Sequence, residues 1–158
     1  MSKNPFGIGI YKPKFNENIG TLWRSAYQLG ASWIFTIEGK YKETKSDTYK
    51  TWKQIPLFEY EDIDELLVVK NISLVCIETD DIVKNSIMLP YFKHPAICAY
   101  ILGNESMGLP QNIIDKCNHF VNIPAMRSQS YNVSMAGTVV MWDRMFKMRF
   151  TSETTRGS

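Results

Sequence analysis

Residues 96–110 read AICAYILGNESMGLP: an unbroken apolar run that turns polar between two glycines. A strand with one wet face would alternate. A continuous run of this kind is what a strand covered on both faces needs, as in a parallel sheet with helices on either side. ISLVCI, residues 72–77, has the same character. Two such strands set the expectation of an α/β domain.

Reading outward supports it. FGIGIY, residues 6–11, is predicted as a first strand. Residues 18–29 are predicted as a helix, with Ile19, Leu22, Trp23 and Ala26 at helical spacing and Gly30 as the stop. SWIFTI, residues 32–37, is a second strand; residues 55–58 read as a short strand. Residues 62–69 form a helix with acids at its start, where the helix dipole favours negative charge. Pro110 stands at a helix-start position and opens a short helix to residue 117. Residues 119–123 read as the last strand, and residues 133 to about 150 as a long helix. The alternation gives an α/β fold, a mainly parallel sheet flanked by helices. Without repeat or linker, residues 1–150 are expected to be one domain and 151–158 (TSETTRGS) a flexible tail.

Composition excludes several function classes. With 44% hydrophobic and 22% charged residues, the 158-residue chain reads as globular. No apolar run approaches the ~20 residues that cross a bilayer. The N-terminal MSKNPFGIGIYKPK has no apolar signal core, so a cytoplasmic, membrane-free protein is expected. Cys76, Cys98 and Cys117 make no metal-type pair, and His94 and His119 are too far apart for a zinc site, so no metal is expected. No G-x-S-x-G elbow suggests a serine hydrolase.

Net charge is +2, but unevenly spread: +4 over residues 1–60, −5 over 61–120 and +3 over 121–158. The densest basic stretch is KYKETKSDTYKTWK, residues 40–53, where lysines alternate with Tyr41, Tyr49 and Trp52. That mixture suits a phosphate backbone with bases to stack on; an ordinary solvated loop would look the same. The last helix carries two stripes, Val133, Ala136, Val140 and Arg144 on one side and Val139, Trp142 and Phe146 on another. One stripe serves the monomer's core, so the second predicts a homodimer.

Ligands in open α/β sheets bind outside the carboxyl ends of the strands, where three polar motifs fall. NENIGTLWRSA, residues 16–26, holds Asn18, a candidate helix cap, and Arg24. LGNESMGLP, residues 102–110, brackets Asn104, Glu105, Ser106 and Met107 between Gly103 and Gly108, allowing a sharp turn and close backbone approach to a ligand. It is no Walker A loop, and no G-x-G-x-x-G is present, so phosphate cradling and nicotinamide binding lose support. IPAMRSQSYNVSMA, residues 123–136, packs Ser130, Asn132 and Ser134 where strand gives way to helix. A helix cap by Ser130 or Asn132 accounts for one of these groups, not all.

In this order and spacing, N-x-x-x-x-x-R, then G-x-E-x-x-G-L-P, then I-P…S-x-N-V-S-x-A resemble the SpoU (TrmH-like) branch of the SPOUT superfamily of RNA methyltransferases. The resemblance covers nearly the whole chain. This chain departs from the pattern in the glycine-free segment 125–129, about one residue short, and in Tyr131, which stands where leucine is usual.

The resemblance implies a SPOUT-type fold with a C-terminal deep trefoil knot, a homodimer, and methyl transfer from S-adenosylmethionine to a ribose 2′-hydroxyl of tRNA or rRNA. Asn18, Arg24, Glu105, Ser130 and Asn132 match the family's catalytic motif residues. The donor would lie among Glu78 and Thr79, the loop with Leu102, Gly103, Asn104 and Gly108, and the segment with Ile123, Ala125, Tyr131 and Asn132. The family assigns the arginine matching Arg24 as base, although a guanidinium stays protonated in proteins. Grip on RNA is expected from Lys12, Lys14, Arg24, Lys40, Lys42, Lys45 and Arg127. The rival readings are a non-catalytic RNA-binding dimer of the same fold and an unrelated flavodoxin-like nucleotide-binding domain.

Overall fold

The computed structural model describes residues 3–43, 51–68 and 71–150. Lys45, Val69 and the tail 151–158 lie outside the described residues.

The chain forms β1 (Phe6–Tyr11), α1 (Asn16–Gln28), β2 (Trp33–Ile37), β3 (Leu57–Tyr60) and α2 (Ile63–Leu67). It continues through β4 (Ser73–Ile77), β5 (Ile87–Met88), β6 (Cys98–Leu102), α3 (Gln111–Ile114), β7 (His119–Asn122) and α4 (Val133–Met145). The strands make one sheet in the order β3-β2-β1-β6-β4-β7-β5, and every pairing is parallel. The two apolar runs are neighbours near its centre, with Leu74 opposite Ala99 and Cys76 opposite Ile101.

Helices cover both faces, and the strands divide their side chains between them. Ile8, Ile10, Val75, Ile77, Tyr100 and Leu102 join the core under α1 and α4 with Leu22, Val140 and Met141. Phe35, Ile37, Leu74, Cys76, Ala99 and Ile101 join the opposite core with Ile63, Leu66 and Ile113. The glycines of FGIGIY belong to this division. A Cβ on Gly7 would lie 2.1 Å from the Trp33 ring, and one on Gly9 would lie 2.3 Å from that of Phe35.

Some expected boundaries move. α1 begins at Asn16, with Phe15 in the cap position, so Asn18 lies in the first turn, and its side chain is used elsewhere. Gly30 ends the helix with φ +86°, as its freedom from a Cβ permits. β3 starts two residues later than expected because residues 51–54 close into a 3₁₀ turn. β5, a two-residue edge strand on β7, was too short to leave a pattern. Cys76 and Cys98 are buried free thiols, as small hydrophobes should be.

α4 buries Val133, Gly137, Val140, Met141 and Arg144 and leaves Val139, Trp142 and Phe146 exposed. Its last turn widens into a π-helix over Phe146–Phe150. Arg144 is 2% exposed and donates to the carbonyls of Pro95 (2.7 Å), Ala96 (2.8 Å) and Asn4 (3.2 Å) and to the Tyr100 hydroxyl (3.1 Å). Its guanidinium carbon lies over the Phe6 ring, 4.6 Å from the ring centre. A buried guanidinium is tolerated because backbone oxygens satisfy its donors.

Candidate active site

A cavity of about 940 Å³ opens at the carboxyl ends of β4, β6 and β7. Its floor is apolar, with Ile77, Leu102, Ile123, Val133 and Ala136. Its polar walls come from the segment after β4 (Glu78 to Ile82), the loop after β6 (Gly103 to Gly108) and the segment from β7 to α4. Phe15 and Asn18 close it from α1.

The loop after β6 folds around a carboxylate. Glu78 Oε1 accepts from the Leu109 amide at 2.7 Å, and Oε2 from the Thr79 amide at 3.2 Å. A Cβ on Gly103 would stand 2.3 Å from Glu78 Oε1 and 2.7 Å from the backbone of Gly108, so only bare backbone fits. Gly108 itself has φ +68°. Burial pushes the Glu78 carboxyl up from its ordinary value, against the two amides that favour its charged form. Asn104 completes the turn, accepting from the amides of Ser106 (2.8 Å) and Met107 (2.7 Å).

The motifs meet in one chain of hydrogen bonds. Asn18 Nδ2 donates to Glu105 Oε1 at 2.6 Å, and the Lys14 amide donates to Glu105 Oε2 at 3.1 Å. Asn132 Nδ2 donates to Asn18 Oδ1 at 3.2 Å. Asn132 Oδ1 caps α4, accepting from the amides of Ser134 (3.0 Å) and Met135 (3.3 Å) and from the Ser134 hydroxyl (2.6 Å). Of the two candidate caps, Asn132 takes the place. Asn18, Glu105 and Asn132 therefore spend their polar atoms on one another and on backbone, tying α1, the glycine loop and α4 together.

Other expected residues are placed differently. Ser130 and Arg127 line the cavity, are exposed, and make no hydrogen bond among the described residues. Tyr131 donates its hydroxyl to the Pro124 carbonyl at 2.9 Å, stapling the glycine-free segment at its two ends. A leucine could not do this. Thr79, Leu102, Ile123 and Ala125 also line the wall. Arg24 does not: it projects from the exposed side of α1 with its guanidinium 5.3 Å from the Trp52 ring.

The lysines stand outside the cavity. Lys12 and Lys14 follow β1; Lys14 Nζ donates to Ser106 Oγ at 3.2 Å and lies 5.4 Å from the Phe15 ring. Lys40 and Lys42 are exposed, and Lys42 exchanges backbone hydrogen bonds with the Asn16 side chain. One lining cluster went unread in the sequence: Asn122 Nδ2 reaches Ser86 Oγ (2.9 Å) and Asp80 Oδ1 (3.1 Å), and Ser86 also donates to Asp80. The signal was an asparagine ending an apolar strand.

No metal-binding group of His, Cys, Asp or Glu occurs among the described residues, nor any helix long and apolar enough to cross a membrane.

A search of curated proteins finds no match. Solved structures do match. TrmH/SpoU tRNA modifying enzyme of A. aeolicus superposes with a TM-score of 0.81 at 18% identity, over 96% of this chain and 78% of that one. AdoMet-bound rRNA methyltransferase from Sinorhizobium meliloti gives 0.76 at 20% identity, over 94% of this chain and 58% of its own. A protein whose structure concerns the 2-OH methylation of C/U34 on tRNA gives 0.76 at 17% identity, over 93% and 98%. The present chain thus spans less than two thirds of the Sinorhizobium protein but nearly all of the last. These likenesses speak for the fold. Membership rests on the sequence itself: the model of the SpoU rRNA Methylase family matches residues 5–142, which contain all three motifs and the whole sheet, and the chain belongs to that family.

Proposed function

We propose that this chain methylates RNA, moving a methyl group from S-adenosylmethionine to a ribose 2′-hydroxyl of tRNA or rRNA, and that it works as a homodimer. One observation carries the reading. The cavity that gathers the three motifs is lined by the carboxylates of Glu78, Asp80, Asp81 and Glu105 and, among the described Lys and Arg residues, by Arg127 alone. An acidic wall suits a ligand bearing a sulfonium and an ammonium; it opposes a nucleoside polyphosphate. The apolar floor and the glycine loop fit the rest of such a donor, since a flat ring can lie on Leu102 and Ile123 beside bare backbone.

When bound, the donor supplies a methyl group activated on sulfur. The chain's residues supply position. Leu102 to Asn104 and Ile123 to Ala125 would hold the base; Glu78 and Thr79 would fix the adjacent edge. The Asn18–Glu105–Asn132 chain holds the surrounding elements in register, and alignment for an in-line displacement contributes much of such a reaction's acceleration. Ser130, exposed in the cavity, is free to meet the ribose. Because guanidinium groups stay protonated in proteins, Arg24 would meet a phosphate or the developing alkoxide, while water takes the 2′-hydroxyl proton and the donor leaves as S-adenosylhomocysteine.

Arg24 stands outside the cavity of its own chain, and the exposed stripe of α4 offers the contact by which a second chain would bring an Arg24 to it. The knot belongs to the same reading. The connection between β4 and β6 holds β7 through Asn122, α4 through Arg144, and the π-helical turn after α4 through Lys147, whose Nζ donates to the carbonyls of Leu89 and Phe92. A connection that grips both sides of the returning chain is what threading would leave.

The test is incubation with isotopically labelled donor and separate tRNA and rRNA pools lacking this protein's modification, followed by digestion and mass spectrometry of nucleosides. A labelled 2′-O-methyl nucleoside is the expected result. Label on a base would replace the ribose reading. RNA binding without donor binding would favour the non-catalytic dimer.

A further inference from the structure

Arg24 has an unusual setting for a residue that the motif marks out. It lies on the exposed side of α1, and among the described residues it makes no hydrogen bond or ion pair. What holds it is the face of Trp52, 5.3 Å from its guanidinium carbon. Such a cation–π contact uses the charge of the guanidinium and none of its five N–H donors. The contact thus holds the group without using the donors that would meet a phosphate or ribose oxygen.

The partner is itself braced. Trp52 sits in the 3₁₀ turn Thr51–Gln54, which is docked on α1 by the Trp23 indole N–H donating to the Ile55 carbonyl at 3.0 Å. Trp23 meets Tyr41 edge to face at 5.6 Å, and Lys53 Nζ lies 5.7 Å from the Trp23 ring and 5.8 Å from that of Tyr41. Trp52 and Tyr41 are half-buried against the core beneath α1. A rigid aromatic bracket therefore stands beside a long, flexible side chain that alone would sample many rotamers.

We infer that Trp52 is a positioning residue for the reaction: its ring holds the Arg24 guanidinium, N–H donors unspent, for the RNA ribose-phosphate. The inference rests on Arg24 meeting the RNA, as read above. It assigns a function to the aromatic interleaving of the basic segment 40–53. There the half-buried aromatic orients the cation, and stacking on a base is not its main task.

The test joins kinetics to a spectroscopic signature in the full chain. Trp52→Leu should lower kcat for the RNA labelled by the wild type about fivefold or more, in keeping with the loss of one cation–π contact and of alignment, with the KM for the donor unchanged. Trp52→Phe, which restores an aromatic face, should recover most of the rate. In ¹H–¹⁵N spectra the Arg24 Nε–H signal, identified by its loss in Arg24→Lys, should be displaced by the Trp52 ring current and return to an ordinary position in Trp52→Leu. Thermal melts establish that both variants fold. An unshifted Arg24 signal in the wild type overturns the inference, as does a Trp52→Leu enzyme with wild-type kcat. A wild type that labels no RNA sinks the proposed function instead, and the spectrum alone then decides whether the preset exists.

Discussion

Asn132 shows how much one side chain does here. Its Oδ1 caps α4 and its Nδ2 reaches Asn18, so it joins the last helix to the first and, through Asn18, to Glu105. Asn132→Ala should lower the unfolding free energy by ~1–2 kcal/mol, the usual cost of a lost cap, measured by denaturant titration. Asn132→Asp keeps the cap but loses the donor to Asn18, so it should retain more of the stability. Equal losses in the two would mean that the cap contributes nothing. The sequence marked this asparagine as cap or site residue, and the structure makes it both part of the cavity wall and the cap. It could not show that Asn18, Glu105 and Asn132 satisfy one another. That depends on three segments meeting in space, the nearest of them 27 residues apart along the chain.

Among the elements, α4 carries the most. Its buried face ends in a polar anchor: His94 Nδ1 meets the Tyr100 hydroxyl at 2.6 Å, and Nε2 meets Asp143 Oδ2 at 2.8 Å, with Arg144 and Lys147 alongside. Burial pulls the His94 pKa below its ordinary 6.5, outweighing the Asp143 carboxylate that favours the charged ring. A depressed pKa means the unfolded chain binds more protons. Stability from this group is thus fully present above about pH 6.5 and falls as pH drops below it, by at most about 1.4 kcal/mol per unit. Urea titrations of the wild type and His94→Gln between pH 7.5 and 5 check the sign, since the raised Glu78, which acts the other way, is common to both; a wild type gaining stability over His94→Gln toward pH 5 would contradict it.

The outer face of α4 carries a different prediction. Trp142 and Phe146 stack at 5.3 Å between ring centres and stand 53% and 43% exposed, an apolar surface that a second chain should cover. Light scattering should find the wild type at twice the 18.2 kDa chain mass and Trp142→Glu at the single mass. A monomeric wild type would refute the homodimer. The element boundaries show where sequence reading stops. The two stripes of α4 were legible because helical periodicity repeats over four turns, whereas β5 holds only Ile87–Met88 and depends on β7 for its pairing. The 3₁₀ turn at 51–54 was hidden for the same reason: its packing against Trp23 fixes it, not its own pattern.

For the whole molecule, the sheet's order follows from two facts visible in the letters. Strands apolar along their length must lie inside, and β4 and β6 do, while the half-exposed β3 and the short β5 take the edges. The cavity was not legible from composition, since its lining comes from segments spread from Phe15 to Ala136. What the motifs did reveal was which of those segments to expect together. The reading of this molecule turns on one cavity, walled by the glycine loop, taking the methyl donor. Calorimetric titration of S-adenosylmethionine into wild type and Gly103→Ala addresses it directly. The added methyl would meet Glu78 Oε1 at 2.3 Å and Gly108 backbone at 2.7 Å, an overpacking that costs about 1–3 kcal/mol and moves the wall. The wild type should bind one donor per chain, and the variant should bind it about tenfold or more weakly. No binding to the wild type, or equal binding by a folded Gly103→Ala protein, would contradict it.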